Sequence, residues 1–208
     1  MDYNYFFIDG STLLSDIKKY ITKHPSLKGK KFDPVIFSKL FSLSNDLTPF
    51  HGRSYRRIVF YFVTNDKRVK EFIKVPDFKK SGAIEDLEIK YCGKKIPTYK
   101  KAADWLDGQK APNYVRDSLY KSEKAVDTKI CCDALILLSL NKLDRIFLYT
   151  NDYDFIPLCQ TIKSMGANIN LIQLTDSRVN KDLVREFDAF HSFKDEKIYE
   201  CFGTKFKH

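Results

Sequence analysis

The sequence contains no long apolar run, and this excludes membrane-spanning proteins at the outset. Although 43% of its 208 residues are hydrophobic, no stretch approaches the ~18 consecutive apolar residues of a membrane span. No basic segment precedes the first apolar run, so we expect no signal peptide. Internal repeats and low-complexity segments are also missing. We therefore expect one α/β domain over residues 1–208, with no membrane partner.

Metal-binding cysteine patterns are absent as well. Five cysteines and four histidines form no C-x-x-C pair and no zinc-binding spacing. Cys131 and Cys132 are adjacent within an apolar helical pattern. An odd number of cysteines in such surroundings is typical of reduced, mostly buried thiols in a cytoplasmic protein. We expect a cytoplasmic location and assign no cysteine a catalytic role.

Acidic residues are in the minority, with 27 against 36 basic residues and a net charge of +9. The excess is concentrated between Arg53 and Lys124, where 18 basic residues stand against 10 acidic ones. Tyr91, Tyr99 and Trp105 are interleaved with them, and this combination suits a polyanion whose bases can stack. A solvated lysine-rich surface is the alternative. The candidate contacts are Arg53, Arg56, Arg57, Lys94, Lys95, Lys100 and Lys101.

Apolar runs alternate with helical patterns along most of the chain. This alternation predicts a mostly parallel sheet with helices on both faces. Residues 76–121 are predicted to form a basic elaboration, with a turn at Gly93 and Lys94, a return strand and a short helix. We predict strands at 3–9, 58–63, 87–92, 145–150 and 168–174, and helices at 12–23, 34–43, 66–74, 127–140, 154–165 and 179–185.

Carboxylates follow two of these predicted strands. Asp9 ends the first strand, and Asp152 and Asp154 lie between a later strand and its helix. Open α/β sheets bind their ligands at the carboxyl ends of strands, and oxygen ligands suit Mg²⁺ or Mn²⁺. Asp127 opens a neighbouring helix and can reach the same edge. Four converging carboxylates repel one another and need a cation, although each alone also suits a turn or a helix cap.

Polar neighbours of these acids are candidates for supporting roles. Lys124 is placed to hold a phosphate, and Ser11 and Thr150 are placed to orient the ligands. The alternatives are a solvated lysine and ordinary turn hydroxyls. Asp133 lies away from Asp127 on its helix, as a supporting or a packing acid. The supporting candidates are Ser11, Thr12, Lys124, Asp133, Thr150 and Asn151.

Several segments together resemble the NYN domain (LabA-like) branch of the PIN-like nuclease superfamily. The family pattern is approximately strand-Asp-Gly, Lys-Gly-Val-Asp, Ser-Gly-Asp-x-Asp-Phe and Leu-x-x-x-Gly. This chain departs from it at Ser11 and Thr12, where the family often has an Asn, and at Ala125 and Asn151, which replace glycines. The resemblance is carried by Phe7 to Gly10, Lys124 to Asp127 with Asp133, Thr150 to Leu158, Met165 to Ile169 and Leu183 to Phe190.

This resemblance implies a Rossmann-like (PIN-like) three-layer sandwich and metal-dependent cleavage of RNA. Asp9, Asp127, Asp152 and Asp154 would be the ligands of Mg²⁺ or Mn²⁺. Water activated on the metal would hydrolyse the phosphodiester. The partner would be single-stranded or structured RNA, and a homo-oligomer is possible. The alternative is a catalytically weak or inactive RNA-binding regulatory module on the same fold.

Three other acidic sites fit the sequence less well. A haloacid-dehalogenase phosphatase needs Asp-x-Asp after its first strand, where this chain has Ser11. A topoisomerase-primase site uses a glutamate in place of Asp9. A von Willebrand A metal site needs a second serine where Leu13 stands, and it is usually extracellular.

Overall fold

The computed structural model describes residues 2–43, 54–74, 87–94, 108, 125–175 and 181–206. In these ranges six strands and seven α-helices alternate along most of the chain. The strands are β1 (Asp2–Asp9), β2 (Ser54–Thr64), β3 (Leu87–Lys94), β4 (Arg145–Tyr149), β5 (Asn168–Gln173) and β6 (Ala189–Ser192). The helices are α1 (Gly10–Lys23), α2 (Pro34–Leu43), α3 (Lys67–Phe72), α4 (Val126–Ser139), α5 (Ile156–Ser164), α6 (Lys181–Arg185) and α7 (Asp195–Cys201).

All neighbouring strands pair in parallel in the order β3-β2-β1-β4-β5-β6. This order confirms the predicted Rossmann-like α/β fold. The chain proceeds outwards from β1 to β3 and then returns to the other side of β1 with β4. At that point connections on the two sides of the sheet diverge and leave a crevice beyond the strand ends. The fold therefore places the expected ligand-binding position at the carboxyl ends of β1 and β4.

Both faces of the sheet are buried, as in other all-parallel sheets. Phe6 and Ile8 point into one apolar cluster, which α1, α2, α3 and α7 cover. Phe7 and Leu148 point into the other, which α4, α5 and α6 cover. Burial on both faces explains why the central strands appear in the sequence as uninterrupted apolar runs.

The connection from β1 to α1 requires glycine. A Cβ atom on Gly10 would lie less than 3.0 Å from the ring of Phe62 and from the carbonyl oxygen of Tyr61. Such an approach cannot be accommodated without moving β2. Gly10 thus lets α1 begin directly against the neighbouring strand, which fixes Asp9 at the junction.

One predicted turn is wrong. Gly93 and Lys94 belong to β3, which continues to Lys94 and pairs in parallel with β2. The positive φ of Gly93 (60°) coincides with an irregular register opposite Val63 and Thr64. Gly93 therefore marks a bulge and not a hairpin turn. Glycine is common in both features, so the residue alone does not distinguish them. The predicted return strand (95–98) and short helix (102–106) lie outside the described residues.

Two elements near the C-terminus were not predicted from the sequence, namely β6 and α7. The helix predicted from Asp154 begins two residues later, after a 3₁₀ turn at Tyr153–Phe155. All five cysteines are free thiols, and burial raises the pKa of both Cys159 and Cys201 to about 12. Among the helices described, none has the length and apolar character needed to cross a membrane.

Candidate functional site

Asp9 is the last residue of β1 and the N-cap of α1, and its carboxylate is held firmly. Its Oδ1 accepts hydrogen bonds from the backbone N–H groups of Ser11 (2.9 Å) and Thr12 (3.4 Å). Its Oδ2 accepts one from the Thr12 hydroxyl at 2.6 Å. The residue is only 3% exposed. These donors fix the position of both carboxylate oxygens at the start of α1.

Thr150 links Asp9 to the loop after β4. Because Ile8 pairs with Tyr149, Asp9 and Thr150 leave the sheet side by side. The buried Thr150 hydroxyl donates to Asp9 Oδ2 (3.5 Å) and accepts from the backbone N–H of Asp152 (3.1 Å). These bonds form a continuous array, Asp9–Thr150–Asp152, at the crevice between β1 and β4.

Asp152 and Asp154 share the turn that begins α5. Asp152 caps the 3₁₀ turn, and its Oδ1 accepts from the backbone N–H of Asp154 at 2.9 Å. Asp152 is half-buried, whereas Asp154 is exposed. Both side chains therefore have more space around them than the buried Asp9, and Asp154 has the most space for a change of rotamer.

Asp127 lies in the first turn of α4, half-buried. The N-cap position belongs to Ala125, which adopts a left-handed conformation with φ 93°. This is the position where the NYN pattern has glycine, and the conformation explains that preference. Lys124, the candidate phosphate contact just before it, lies outside the described residues.

Asn151 belongs to a second polar network, around Asp16 of α1. Asp16 Oδ2 accepts from the Tyr149 hydroxyl (2.9 Å) and from Asn151 Nδ2 (3.3 Å). Gln173, at the end of β5, donates to Asn151 Oδ1 and to the Thr150 carbonyl (3.2 Å). Burial raises the pKa of Asp16, and hydrogen bonds from Tyr149, Lys19 and Asn151 only partly oppose this effect.

Neither Asp16 nor Gln173 was identified from the sequence as a site residue. The available signals were a carboxylate two helical turns after Asp9 and a glutamine ending an otherwise apolar strand. Both signals acquire meaning only once α1 and β5 are known to lie beside β4.

Asp133 lies in a separate charged cluster. Its carboxylate accepts from Lys129 (2.5 Å), Lys90 (2.7 Å) and the Tyr61 hydroxyl (3.0 Å). Burial tends to raise the pKa of Asp133, but the hydrogen bonds from Lys129, Lys90 and Tyr61 outweigh it and hold the pKa below its usual value. These three partners compensate the negative charge of Asp133, so the charge does not require a metal ion.

The donor chemistry of the four candidate ligands suits a hard cation. Asp9, Asp152 and Asp154 offer carboxylate oxygens at two adjacent strand ends, and such oxygens are the ligands that Mg²⁺ and Mn²⁺ prefer. Within the part of the chain that the structure describes, however, no three His, Cys, Asp or Glu side chains are grouped closely enough to hold a metal ion. The array as it stands orients Asp9 and Asp152 without completing a coordination shell.

The candidate RNA contacts are largely beyond what the structure describes. Arg57 is paired with Glu88 at 2.7 Å, with 43% of the Arg57 side chain exposed. Arg56 and Lys94 lie in β2 and β3, but their side chains are outside the described part. The remaining candidates, Arg53, Lys95, Lys100 and Lys101, lie outside it altogether.

Comparison with solved structures supports the fold. A Vibrio parahaemolyticus protein of unknown function superimposes with a TM-score of 0.52 at 13% sequence identity, covering 93% of this chain and 94% of the other. At this identity the likeness concerns the fold only. No curated protein matches the chain.

The sequence itself matches a family model that describes the NYN domain, over residues 7–196. The matched range begins in β1 and ends in α7, so it includes Asp9, Asp127, Asp152 and Asp154. It covers both sides of the crevice and nearly the whole chain. The protein therefore belongs to the NYN domain family, which has a PIN-like nuclease fold.

Proposed function

We propose that this chain is a metal-dependent endoribonuclease of the LabA-like branch. The observation that carries the proposal is the Asp9–Thr150–Asp152 array at the crevice between β1 and β4. It occupies the ligand-binding position of a doubly wound sheet in a chain of a nuclease-type family. The branch assignment rests on the motifs from Thr150 to Leu158 and from Met165 to Ile169.

Asp9, Asp127, Asp152 and Asp154 would hold Mg²⁺ or Mn²⁺. The bound ion would lower the pKa of a water molecule and neutralise charge that develops on the phosphoryl oxygens. Asp9 is fixed by its hydrogen bonds to Ser11 and Thr12, so it serves as the rigid member. Rotation of the half-buried Asp152 and the exposed Asp154 would complete the ligand set.

The protein's own residues position the acidic loop and supply an electrostatic field that attracts RNA. Thr150 fixes the spacing between Asp9 and the Asp152 backbone, which limits the movement of the loop. A cluster of carboxylates repels a polyanion, and the net charge of +9 supplies an opposing field that draws RNA to the protein. RNA of either single-stranded or structured form is the expected partner.

The test is cleavage of labelled RNA by the purified protein with Mg²⁺, Mn²⁺ or EDTA. We expect metal-dependent internal cuts that Asp152→Asn abolishes while RNA affinity is retained, since loss of a ligand charge lowers metal occupancy. Asp182→Asn is the matched control, because Asp182 is exposed and paired with Arg185 on α6.

Two outcomes would contradict the proposal. If the wild-type protein binds RNA but never cleaves it, the inactive RNA-binding module becomes the better description. If Asp152→Asn and Asp182→Asn cleave equally well, the chemistry lies elsewhere on the molecule.

A further inference from the structure

A cavity of about 270 Å³ lies beside the proposed active site, between α1 and the ends of β4 and β5. Ligand pockets usually enclose roughly 300–1,000 Å³, so this one has room for a single nucleobase. The residues that line it are mostly polar, and they include Asp16, Lys19, Tyr20, Lys23, Asn151 and Gln173.

The position of this cavity couples it to the catalytic loop. Asn151 lines the cavity and directly precedes Asp152, whose Cα is therefore about 3.8 Å along the chain. Gln173, on the same wall, donates to the Thr150 carbonyl at 3.2 Å. A base bound here would belong to a nucleotide adjacent to the phosphate held at Asp152.

Helical spacing creates the opposite wall. Asp16, Lys19 and Lys23 are three and four residues apart on α1, so their side chains share one face. Lys19 Nζ lies 3.4 Å from Asp16 Oδ1. Tyr20 adds an aromatic ring, which its hydroxyl bond to Asp195 (2.8 Å) holds in place.

The hydrogen-bonding capacity of the walls has a definite pattern. Asp16 Oδ2 is occupied by Tyr149 and Asn151, and among the described residues Oδ1 has only the long contact to Lys19. In the same part of the chain, nothing donates to Gln173 Oε1. The cavity thus presents acceptor oxygens next to the ammonium group of Lys19.

This pattern complements guanine. Its Watson–Crick edge carries two adjacent donors, N1–H and the N2 amino group, beside the O6 acceptor. Adenine, cytosine and uracil each lack the pair of adjacent donors. Because Asp16 Oδ2 is already occupied by Tyr149 and Asn151, Asp16 Oδ1 would accept one of these hydrogens and Gln173 Oε1 the other, while Lys19 donates to O6.

We propose that the cavity at Asp16 is a guanine pocket, which gives the ribonuclease a preference for guanosine next to the cleaved phosphate. This inference rests on the proposed function. A second depression of about 540 Å³ shares Lys23 and Thr175 with the pocket and extends to Lys194. Its lining combines these lysines with Asp195 and Glu196, and it provides space for the continuing chain.

The pocket is tested by binding, without cleavage, in EDTA. Oligouridine tetramers carrying one guanosine, adenosine, cytidine or inosine are compared, along with free guanosine and adenosine monophosphates. We expect the guanosine tetramer to bind at least about tenfold more tightly than the adenosine one, because it makes two base-edge hydrogen bonds that adenine cannot make. Inosine lacks the N2 amino group and should lose most of this advantage, which tests the pocket in the unmodified protein.

Substitutions in the cavity wall test whether the guanosine preference arises there. Asp16→Asn should remove most of the guanosine preference, and Lys19→Met should reduce it, while the exposed control Asp182→Asn leaves it intact. Lys19 is half-exposed, so its replacement tests the pocket even if Asp16→Asn fails to fold.

Each contrary result is informative. Equal binding of guanosine, adenosine and inosine tetramers by the wild-type protein overturns the pocket, and metal-dependent RNA cleavage would still support the ribonuclease. A preference that survives both Asp16→Asn and Lys19→Met also overturns it. Conversely, selective binding of guanosine monophosphate without any RNA binding supports a guanine pocket and overturns the proposed ribonuclease.

Discussion

The Thr150 hydroxyl donates to Oδ2 of Asp9 across 3.5 Å, although 141 residues separate the two along the chain. The contact exists because β1 and β4 are adjacent and in register, with Ile8 opposite Tyr149. The same hydroxyl accepts from the N–H of Asp152. One buried oxygen thus connects the two acidic ends of the proposed site.

Replacing Thr150 with valine removes this oxygen and keeps the shape of the side chain. We expect the free energy of unfolding to fall by about 1–3 kcal/mol, because a buried donor and a buried acceptor lose a partner. Metal-dependent cleavage should slow by about 10- to 100-fold, as when other groups that orient metal ligands are removed. Urea unfolding and initial cleavage rates measure the two effects.

Thr161→Val is the matched control, since the exposed Thr161 hydroxyl bonds to the Pro157 carbonyl within α5. Its effect on stability should stay within about 0.5 kcal/mol, with no change in cleavage. Similar effects in both variants would mean that Thr150 has no special role.

Ala125→Gly should stabilise the protein. Ala125 has a φ of 93°, and a left-handed conformation costs a residue with a Cβ roughly 1–2 kcal/mol. Glycine removes this strain, which stabilises the folded state. Its greater conformational freedom in the unfolded chain offsets part of that stabilisation. We expect a net increase of about 0.5–1 kcal/mol in the free energy of unfolding, measured by urea denaturation.

The comparison is Ala189→Gly in β6, where φ is not positive. There glycine brings only the entropic cost, so stability should decrease by about 0.5–1 kcal/mol. A loss of stability in Ala125→Gly as well would indicate that the Ala125 methyl group makes contacts that outweigh the strain.

The sequence was sufficient for those parts of the site that depend on a single strand end. Asp9 and Thr150 each follow a run of buried apolar residues, so their place at the sheet edge could be predicted before the structure. The pairing of Asp16 with Asn151, and of Gln173 with Thr150, could not. It depends on which strands are neighbours, and no local pattern encodes that order.

The failures have equally local causes. Gly93 favours a turn and a bulge alike, and only pairing with β2 distinguishes them. Strand β6 has four residues with none fully buried, so it carries no apolar run to reveal it. Short elements at the edge of a sheet give weak signals because tertiary contacts, not local sequence, determine them.

Asp133→Asn should destabilise the protein at neutral pH and have no effect in acid. The folded-state pKa of Asp133 is lowered from 3.8, so its contribution is fully present above pH 3.8 and is lost as the pH falls through the folded-state pKa. We expect a loss of about 1–3 kcal/mol at pH 7, as for other buried charged hydrogen bonds. The measurement is urea unfolding between about pH 3 and pH 7.

Asp16→Asn should show the opposite sign in the same series. The folded-state pKa of Asp16 is raised from 3.8, so ionisation penalises the folded state as the pH rises through that pKa. The stability of the asparagine variant relative to wild type should therefore increase as the pH rises from 3.8 to 7, because only the wild type loses stability on ionisation. A stability difference that does not change with pH would contradict the prediction.

The basic stretch between Arg53 and Lys124 can be tested through salt dependence. If Lys94, Lys95, Lys100 and Lys101 bind phosphates, replacing all four with glutamine should weaken binding to many RNA sequences alike. For single-stranded RNA, the slope of log affinity against log salt concentration should flatten by roughly 0.7 for each phosphate that is no longer neutralised. A control with the same charge change replaces Lys28, Lys142, Lys181 and Lys205, which are exposed on other parts of the chain. Phosphate binding by the basic stretch predicts a large change in slope for the first variant and a small one for the second. Equal changes would mean that RNA responds only to the net charge of the protein, and unchanged slopes in both would assign these lysines to solubility.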